Sequence, residues 1–199
     1  MSPVRSHLTR LLHLAVLGVV VHQLVSSTIM ERPMPGEDPE WPFVLHTWIG
    51  ASGLLILMAF WLWTLIRDRS ETKFAQLFPW FSPTRLRAIG RDLSGVARSA
   101  VRLRAPSVEL PALSSAVHGL GLSLATFLAA TGAAWFFALT GTPYARTVLG
   151  LHKLAGNLMW VYLVGHATMA LLHQALGDEV FARMFWVGRR PCRGSVPAE

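Results

Sequence analysis

Four long apolar runs constrain this chain more than any other feature of its sequence. The second run, residues 43–66, has about 24 residues, which is enough to cross the roughly 30 Å hydrocarbon core of a bilayer as a helix. No acidic residue lies within any of the four runs. The sequence therefore predicts an all-α integral membrane protein, a four-helix bundle that forms one domain over residues 1–199. The predicted spans are 8–30, 43–66, 113–139 and 148–176.

Composition supports this class of protein. The chain is 52% hydrophobic and only 15% charged, whereas a soluble domain has about a quarter charged residues. A net charge of +7 would suggest nucleic acid in a soluble protein, but here the basic residues cluster in a few loops. Membrane topology and anionic lipid explain that clustering better. We therefore expect the bilayer, and no nucleic acid, as a partner.

The single cysteine, Cys192, limits the cofactors. No disulfide can form within the chain, and no zinc or iron–sulfur site built from several thiolates is possible. The sequence also lacks C-x-x-C-H, which excludes a covalently attached c-type haem. Any haem must be held by side chains such as histidine or methionine.

Loop charges predict the orientation. Residues 31–42 hold four acids and one arginine, whereas 67–112 hold nine basic and four acidic residues, and the tail 177–199 is basic. The positive-inside rule then places both termini and the long loop of this multi-pass membrane protein in the cytoplasm. A signal peptide is the competing interpretation of the first run, but no small-x-small cleavage site follows it.

Part of the long loop has a helical pattern. Residues 84–104 carry apolar side chains at spacings of three and four, with arginines between them. This pattern predicts a basic amphipathic helix on a membrane surface. Gly90 and Gly95 disfavour a helix, so a partly disordered basic loop is the alternative. The apolar positions are Leu86, Ile89, Leu93, Val96 and Ala100.

Seven of the eight histidines lie in or at the four runs. Ionisable residues within membrane segments usually mark function, and inward-facing histidines on separate helices of a bundle can hold a cofactor. A single membrane histidine is nevertheless more often a hydrogen-bond donor between helices than a ligand. For His7, His22 and His118 we expect packing, a hydrogen bond to a quinone or propionate, or exposure.

The remaining histidines can be grouped into pairs by their expected depth in the membrane. His152 and His166 lie fourteen residues apart, which on one helix is about four turns and 21 Å, nearly on one face. His46 starts the second run and His152 the fourth, so both lie near the outer face. His13 and His166 lie towards the inner face. His173, seven residues beyond His166 on the same face, is the competing inner residue.

Paired histidines favour haem over other metals. Zinc and copper also bind imidazole, but their sites usually need three or four protein ligands at one point, often with a carboxylate or cysteine. Two imidazoles in an apolar cavity suit haem iron. Nearby glycines would let a flat macrocycle approach the helices, although close helix packing explains them equally well. These glycines are Gly50, Gly53, Gly156 and Gly165.

Sequence motifs surround these histidines. They are RLLH (10–13), HTWIG (46–50), His118 with Thr131-Gly132, HKLAGN (152–157), Gly165-His166, ALLH (170–173) and GDEVFARMF (177–185). With these motifs the chain resembles the bacterial cytochrome b561 family, which is similar to the b-type cytochrome subunits of nickel–iron hydrogenases and formate dehydrogenases.

The resemblance implies four transmembrane helices and two b haems per chain. It assigns His13 with His166 as axial iron ligands of the inner haem, and His46 with His152 as those of the outer haem. Leu14 departs from the family, which often has tryptophan there, and the 67–112 loop is longer than expected.

Three functions remain open at this point. The first is a dihaem cytochrome that transfers electrons across the bilayer to or from quinone. A family variant oxidises superoxide at the outer face, where Arg32, Arg146 and Lys153 would attract an anion, although the acidic 31–42 loop opposes this. The second is a membrane anchor subunit that exchanges electrons with a hydrogenase- or dehydrogenase-like redox partner. The third is a haem-free, histidine-bearing transporter or metal-binding protein.

The spans contain no nucleophile or general-base constellation, so we assign no catalytic residue. The sequence leaves open whether the chain is an enzyme or only an electron carrier.

Overall fold

The structure, a computed structural model, describes residues 6–34, 36–67, 74–101, 111–175 and 184. Every regular element within these residues is helical, and four helices are long and apolar enough to cross a membrane. The helices are α1 (His7–Ile29), α2 (Trp41–Ile66), α3 (Phe74–Leu77), α4 (Pro83–Val101), α5 (Pro111–Ala134) and α6 (Ala145–Ala175), with a 3₁₀ turn at Pro79–Phe81 and a π-helical turn at Trp135–Leu139. This confirms the all-α prediction with four candidate spans.

The helix ends follow local chemistry. The Ser6 hydroxyl accepts a hydrogen bond from the backbone N–H of Thr9 and begins α1, as an N-cap does. Pro42 lies in the first turn of α2, where a missing N–H costs little, so this helix begins two residues before the predicted span. Gly141 has φ +83°, and this left-handed conformation suits glycine in the turn before α6.

The four long helices share one small core. Helix α1 packs mainly on α2, α5 on α6, and α2 also on α5. Each contributes to a buried cluster formed by Leu24, Leu57, Leu122, Ala125 and Met159. The Trp61 indole N–H donates to the Thr126 hydroxyl at 2.9 Å, which joins α2 to α5. Most other apolar side chains of the spans face outwards, as they do where lipid is the solvent.

The 67–112 connection is partly helical. Residues 83–101 form a helix, which agrees with the helical spacing in the sequence, whereas the placement of this helix on a membrane surface stays a prediction. Residues 102–104 of the predicted helix lie outside the described residues, as does the tail 177–199 except Met184. The cytoplasmic placement of the loop and the termini stays a prediction.

Candidate cofactor sites

The outer histidines come together as depth predicts. His46 lies one turn into α2 and His152 lies near the start of α6. Their ring centroids are 6.4 Å apart, and the ring planes make an angle of 81°. The two rings therefore face each other across the bundle, each supplied by a different helix.

The inner histidines form a second pair of nearly the same dimensions. His13 on α1 and His166 on α6 have ring centroids 6.5 Å apart, with an interplanar angle of 55°. Because α6 is unbroken from Ala145 to Ala175, His152 and His166 lie about 21 Å apart along its axis. The structure thus contains two similar histidine pairs at two depths.

Both separations fit two imidazoles that share one metal ion. With a metal–nitrogen bond of about 2.0–2.1 Å and a ring nitrogen about 1.2 Å from its centroid, the centroids of two opposed ligands lie about 6.4 Å apart. The observed values are 6.4 and 6.5 Å. Among the described residues no group of three or more histidine, cysteine or acidic side chains could hold a metal ion. The donor set therefore suits a cofactor that brings its own equatorial ligands, as haem does.

Two hydroxyl groups lie within hydrogen-bond distance of the Nδ1 atoms of the outer pair. The Ser26 hydroxyl donates its proton to the Gln23 carbonyl oxygen and lies 2.9 Å from His46 Nδ1. The Thr131 hydroxyl donates to backbone carbonyls one turn earlier and lies 3.1 Å from His152 Nδ1. Since a hydroxyl has only one proton, we infer that both oxygens accept from Nδ1–H. Each imidazole then keeps the lone pair of Nε2 for a metal, as ligating histidines usually do.

The inner pair has aromatic neighbours. The Tyr162 ring stacks on His166 at 5.5 Å with an interplanar angle of 12°. His118 meets His166 edge-on at 5.3 Å, and its Nδ1–H donates to the Ser114 carbonyl oxygen at 2.6 Å. A Cβ added at Gly121 would overlap the Tyr162 side chain, so this glycine makes room for the stack. His166 is therefore held from two sides.

The histidines outside the pairs have other surroundings. His22 lines an apolar groove between α1 and α2 beside Trp41, and its buried Nδ1 makes no hydrogen bond within the described residues. His7 is exposed at the start of α1, and His173 is half-buried in the last turn of α6. The ring of His13 contacts that of His166.

The four glycines proposed to admit a macrocycle divide into two groups. A Cβ at Gly53 would lie 2.7 Å from Val19 Cγ1, and one at Gly50 would lie 3.2 Å from Gln23 Oε1. Close packing of α1 on α2 accounts for both. A Cβ at Gly156 or Gly165 would meet no atom within 4 Å. Gly156 is one turn from His152 and half-buried, which fits a flat group approaching α6 there.

The sequence reasoning missed several contacts of the site. Tyr162 stands four residues before His166, and that spacing places the two on one helix face, so this contact had a signal in the sequence. Ser26 and the Gln23 side chain, whose amide donates to the His46 carbonyl oxygen at 2.8 Å, had none. They reach α2 only because α1 and α2 pack with a particular rotation. Thr131 was part of a sequence motif, but the sequence did not predict its contact with His152.

Comparison with known proteins gives one result. The model of the prokaryotic cytochrome b561 family matches residues 4–186, most of the chain. A search of the curated proteins and a search of the solved structures found no match to this chain.

Proposed function

Because the chain belongs to the prokaryotic cytochrome b561 family, and is therefore a membrane b-type cytochrome of electron transfer, we propose that it holds two b haems. His46 with His152 would hold the outer haem, and His13 with His166 the inner one. In this proposal the protein transfers electrons across a bacterial inner membrane to or from quinone.

The similar dimensions of the two histidine pairs support the proposal most strongly. Centroid separations of 6.4 and 6.5 Å would both suit two imidazoles that hold one metal ion. Two unrelated pairs of hydrogen-bonding histidines would have no reason to share that distance. Their separation of about 21 Å along α6 puts one pair near each side of a bilayer.

Haem bound at each pair supplies a one-electron iron couple. The chain's own residues then set its environment. Ser26 and Thr131 orient the outer ligands and raise the basicity of their Nε2 atoms, and Tyr162 restrains the His166 ring. The apolar cluster around Met159, which is 2% exposed, separates the two pairs and excludes water between them.

The proposal also names the redox partners of the two haems. A carrier that lies within the bilayer suits a protein whose two sites are both within the spans, and quinone is such a carrier. At the outer end, Arg32, Arg146 and Lys153 are exposed, which supports attraction of a small anion such as superoxide. Four acidic residues in 31–42 oppose it.

The test is a dithionite-reduced minus oxidised spectrum of the purified protein, with haem counted per chain. We expect a b-type spectrum and two haems. His13→Ala and His46→Ala should each remove about one haem. His22→Ala changes a histidine of the same helix as His13 outside both pairs, and it should keep two.

A second pair of variants tests whether His166 or His173 is the inner ligand on α6. His166→Ala should lose the inner haem, whereas His173→Ala should keep it. Loss of the inner haem in His173→Ala but not in His166→Ala would make His173 the ligand. One haem or none in the unaltered protein would contradict the dihaem proposal. A redox enzyme that co-purifies in fixed ratio would favour the anchor-subunit alternative for the electron path.

A further inference from the structure

Helix α4 carries a basic surface that the haem sites do not use. It contains four arginines and a single acidic residue, Asp92. Arg87, Arg91 and Arg98 are exposed, and their spacing places all three within about 40° around the helix axis. This group, Arg87, Arg91 and Arg98, is called the basic edge below.

The Asp92 carboxylate contacts α5 rather than the arginines of the basic edge. It accepts hydrogen bonds from the backbone N–H groups of Ala112 at 3.1 Å and Leu113 at 3.0 Å. These groups belong to the first turn of α5, where a negative charge is favourable. Since α5 is a candidate span, this contact holds α4 at the level where a span leaves the membrane.

An apolar edge lies on the other side of the same helix. Leu86 and Leu93 are 44% and 56% exposed, and they lie two turns apart on one face. Just before α4, Trp80 and Phe81 are also exposed, Phe81 by 91%. Apolar side chains left open at the end of a span, with aromatic residues beside them, match the boundary between headgroups and acyl chains.

Two arginines of the basic edge, Arg87 and Arg91, line a shallow open groove that suits phosphate. Gly90 has no side chain between Arg87 and Arg91, and the hydroxyl-bearing residues Thr84 and Ser94 line the same groove. Guanidinium groups bind phosphate oxygens with paired hydrogen bonds. Helix α4 therefore offers positive charge and hydrogen-bond donors on one side and exposed leucines on another.

We propose that α4 is a docking surface for anionic phospholipid. The basic edge binds the phosphate of the headgroup, and Leu86, Leu93 and Phe81 enter the acyl boundary. An acidic protein would explain the arginines but not the exposed apolar edge at the end of a span. The inference is independent of the number of haems and of the electron donor.

The test uses the full-length protein in a neutral detergent, titrated with short-chain phosphatidylglycerol or phosphatidylcholine and followed by microscale thermophoresis. We expect clear preference for phosphatidylglycerol. Each arginine near an anionic surface strengthens binding about fivefold, so Arg87→Gln/Arg91→Gln/Arg98→Gln should weaken it about 100-fold. The control Arg85→Gln changes the one arginine of the described α4 residues that lies outside the basic edge and donates to the Ala75 carbonyl oxygen, and it should bind as the unaltered protein does.

Further variants separate the sources of the effect. The Arg→Lys triple variant keeps the charge and should bind within a few-fold, with an unchanged circular dichroism spectrum. Leu86→Gln/Leu93→Gln should weaken binding of the lipid. Equal binding of the two lipids, or full binding by the Arg→Gln triple variant, would overturn the proposal. Inorganic phosphate binding as tightly as phosphatidylglycerol, with no effect of the leucine changes, would identify a free-anion site and also overturn it.

Discussion

At the scale of single residues, a hydroxyl group contacts Nδ1 of each outer histidine. The Ser26 and Thr131 hydroxyls also donate to backbone carbonyl oxygens, so we infer that each accepts from an imidazole Nδ1–H. A ligand with such a partner is a stronger base. A stronger base stabilises ferric iron more than ferrous iron and lowers the reduction potential.

Ser26→Ala removes this partner from His46. We expect the reduction potential of the outer haem to rise and its affinity for haem to fall, by roughly 10–100-fold as for other such partners. A spectroelectrochemical titration resolved into two components, with haem counted per chain, measures both effects. Thr131→Val should act in the same direction through His152.

The neighbouring serine provides the control. Ser27 is exposed, and its hydroxyl donates only to the Leu24 carbonyl oxygen among the described contacts. Ser27→Ala makes the same chemical change one residue away and should leave both potentials in place. Equal effects of the two alanine variants would contradict the role given to Ser26.

At the scale of helices, the 67–112 connection is fastened to the bundle at identifiable points. Leu77 at the end of α3 is 5% exposed, and its carbonyl oxygen lies where a side chain of Gly119 would be. Trp61 of α2 stacks on Phe78 with ring centroids 5.5 Å apart. Together with the cap formed by Asp92, these contacts bring the connection against α5.

Gly119→Ala tests this attachment. The new Cβ would overlap the Leu77 carbonyl oxygen, which belongs to the backbone and cannot rotate away. Overpacking of this kind costs about 1–3 kcal/mol, so we expect a lower melting temperature in detergent, measured by circular dichroism.

Gly95 on α4 is the matched position. A Cβ there would meet no atom within 4 Å, and alanine is the better helix former by about 1 kcal/mol. Gly95→Ala should therefore melt at the same or a higher temperature. A Gly119→Ala variant as stable as Gly95→Ala would show that α3 does not pack on α5 as described.

At the scale of the whole molecule, loop charge predicts the orientation in the membrane. The 31–42 loop is acidic, and the connection that contains α4 is strongly basic. Basic loops remain in the cytoplasm. This arrangement would place the His46–His152 pair towards the outside and the basic edge of α4 towards the cytoplasm.

Cysteine labelling measures this orientation. In a Cys192→Ser background, Glu37→Cys and Thr84→Cys each add one thiol at an exposed position. A membrane-impermeant maleimide applied to intact spheroplasts should label the first. It should label the second only after the membrane is opened. The opposite pattern would reverse the proposed sides of both histidine pairs.

The sequence by itself determined the four long helices and which histidines lie close together. Length and apolarity determine a span because the hydrocarbon core has a fixed thickness, and each residue adds the same rise to a helix. His13 could therefore be matched with His166, and His46 with His152, by position along the chain. The 3–4 spacing in α4 was also readable, since this helix has one apolar and one basic side.

Only the tertiary structure decided how each span is rotated about its axis. The spans are apolar on nearly every side, because lipid accepts the same side chains as the core, so periodicity does not mark the face that packs. The contacts that depend on rotation therefore had to be observed. They include Ser26 with His46, Thr131 with His152, Val19 with Gly53, and Asp92 with the start of α5.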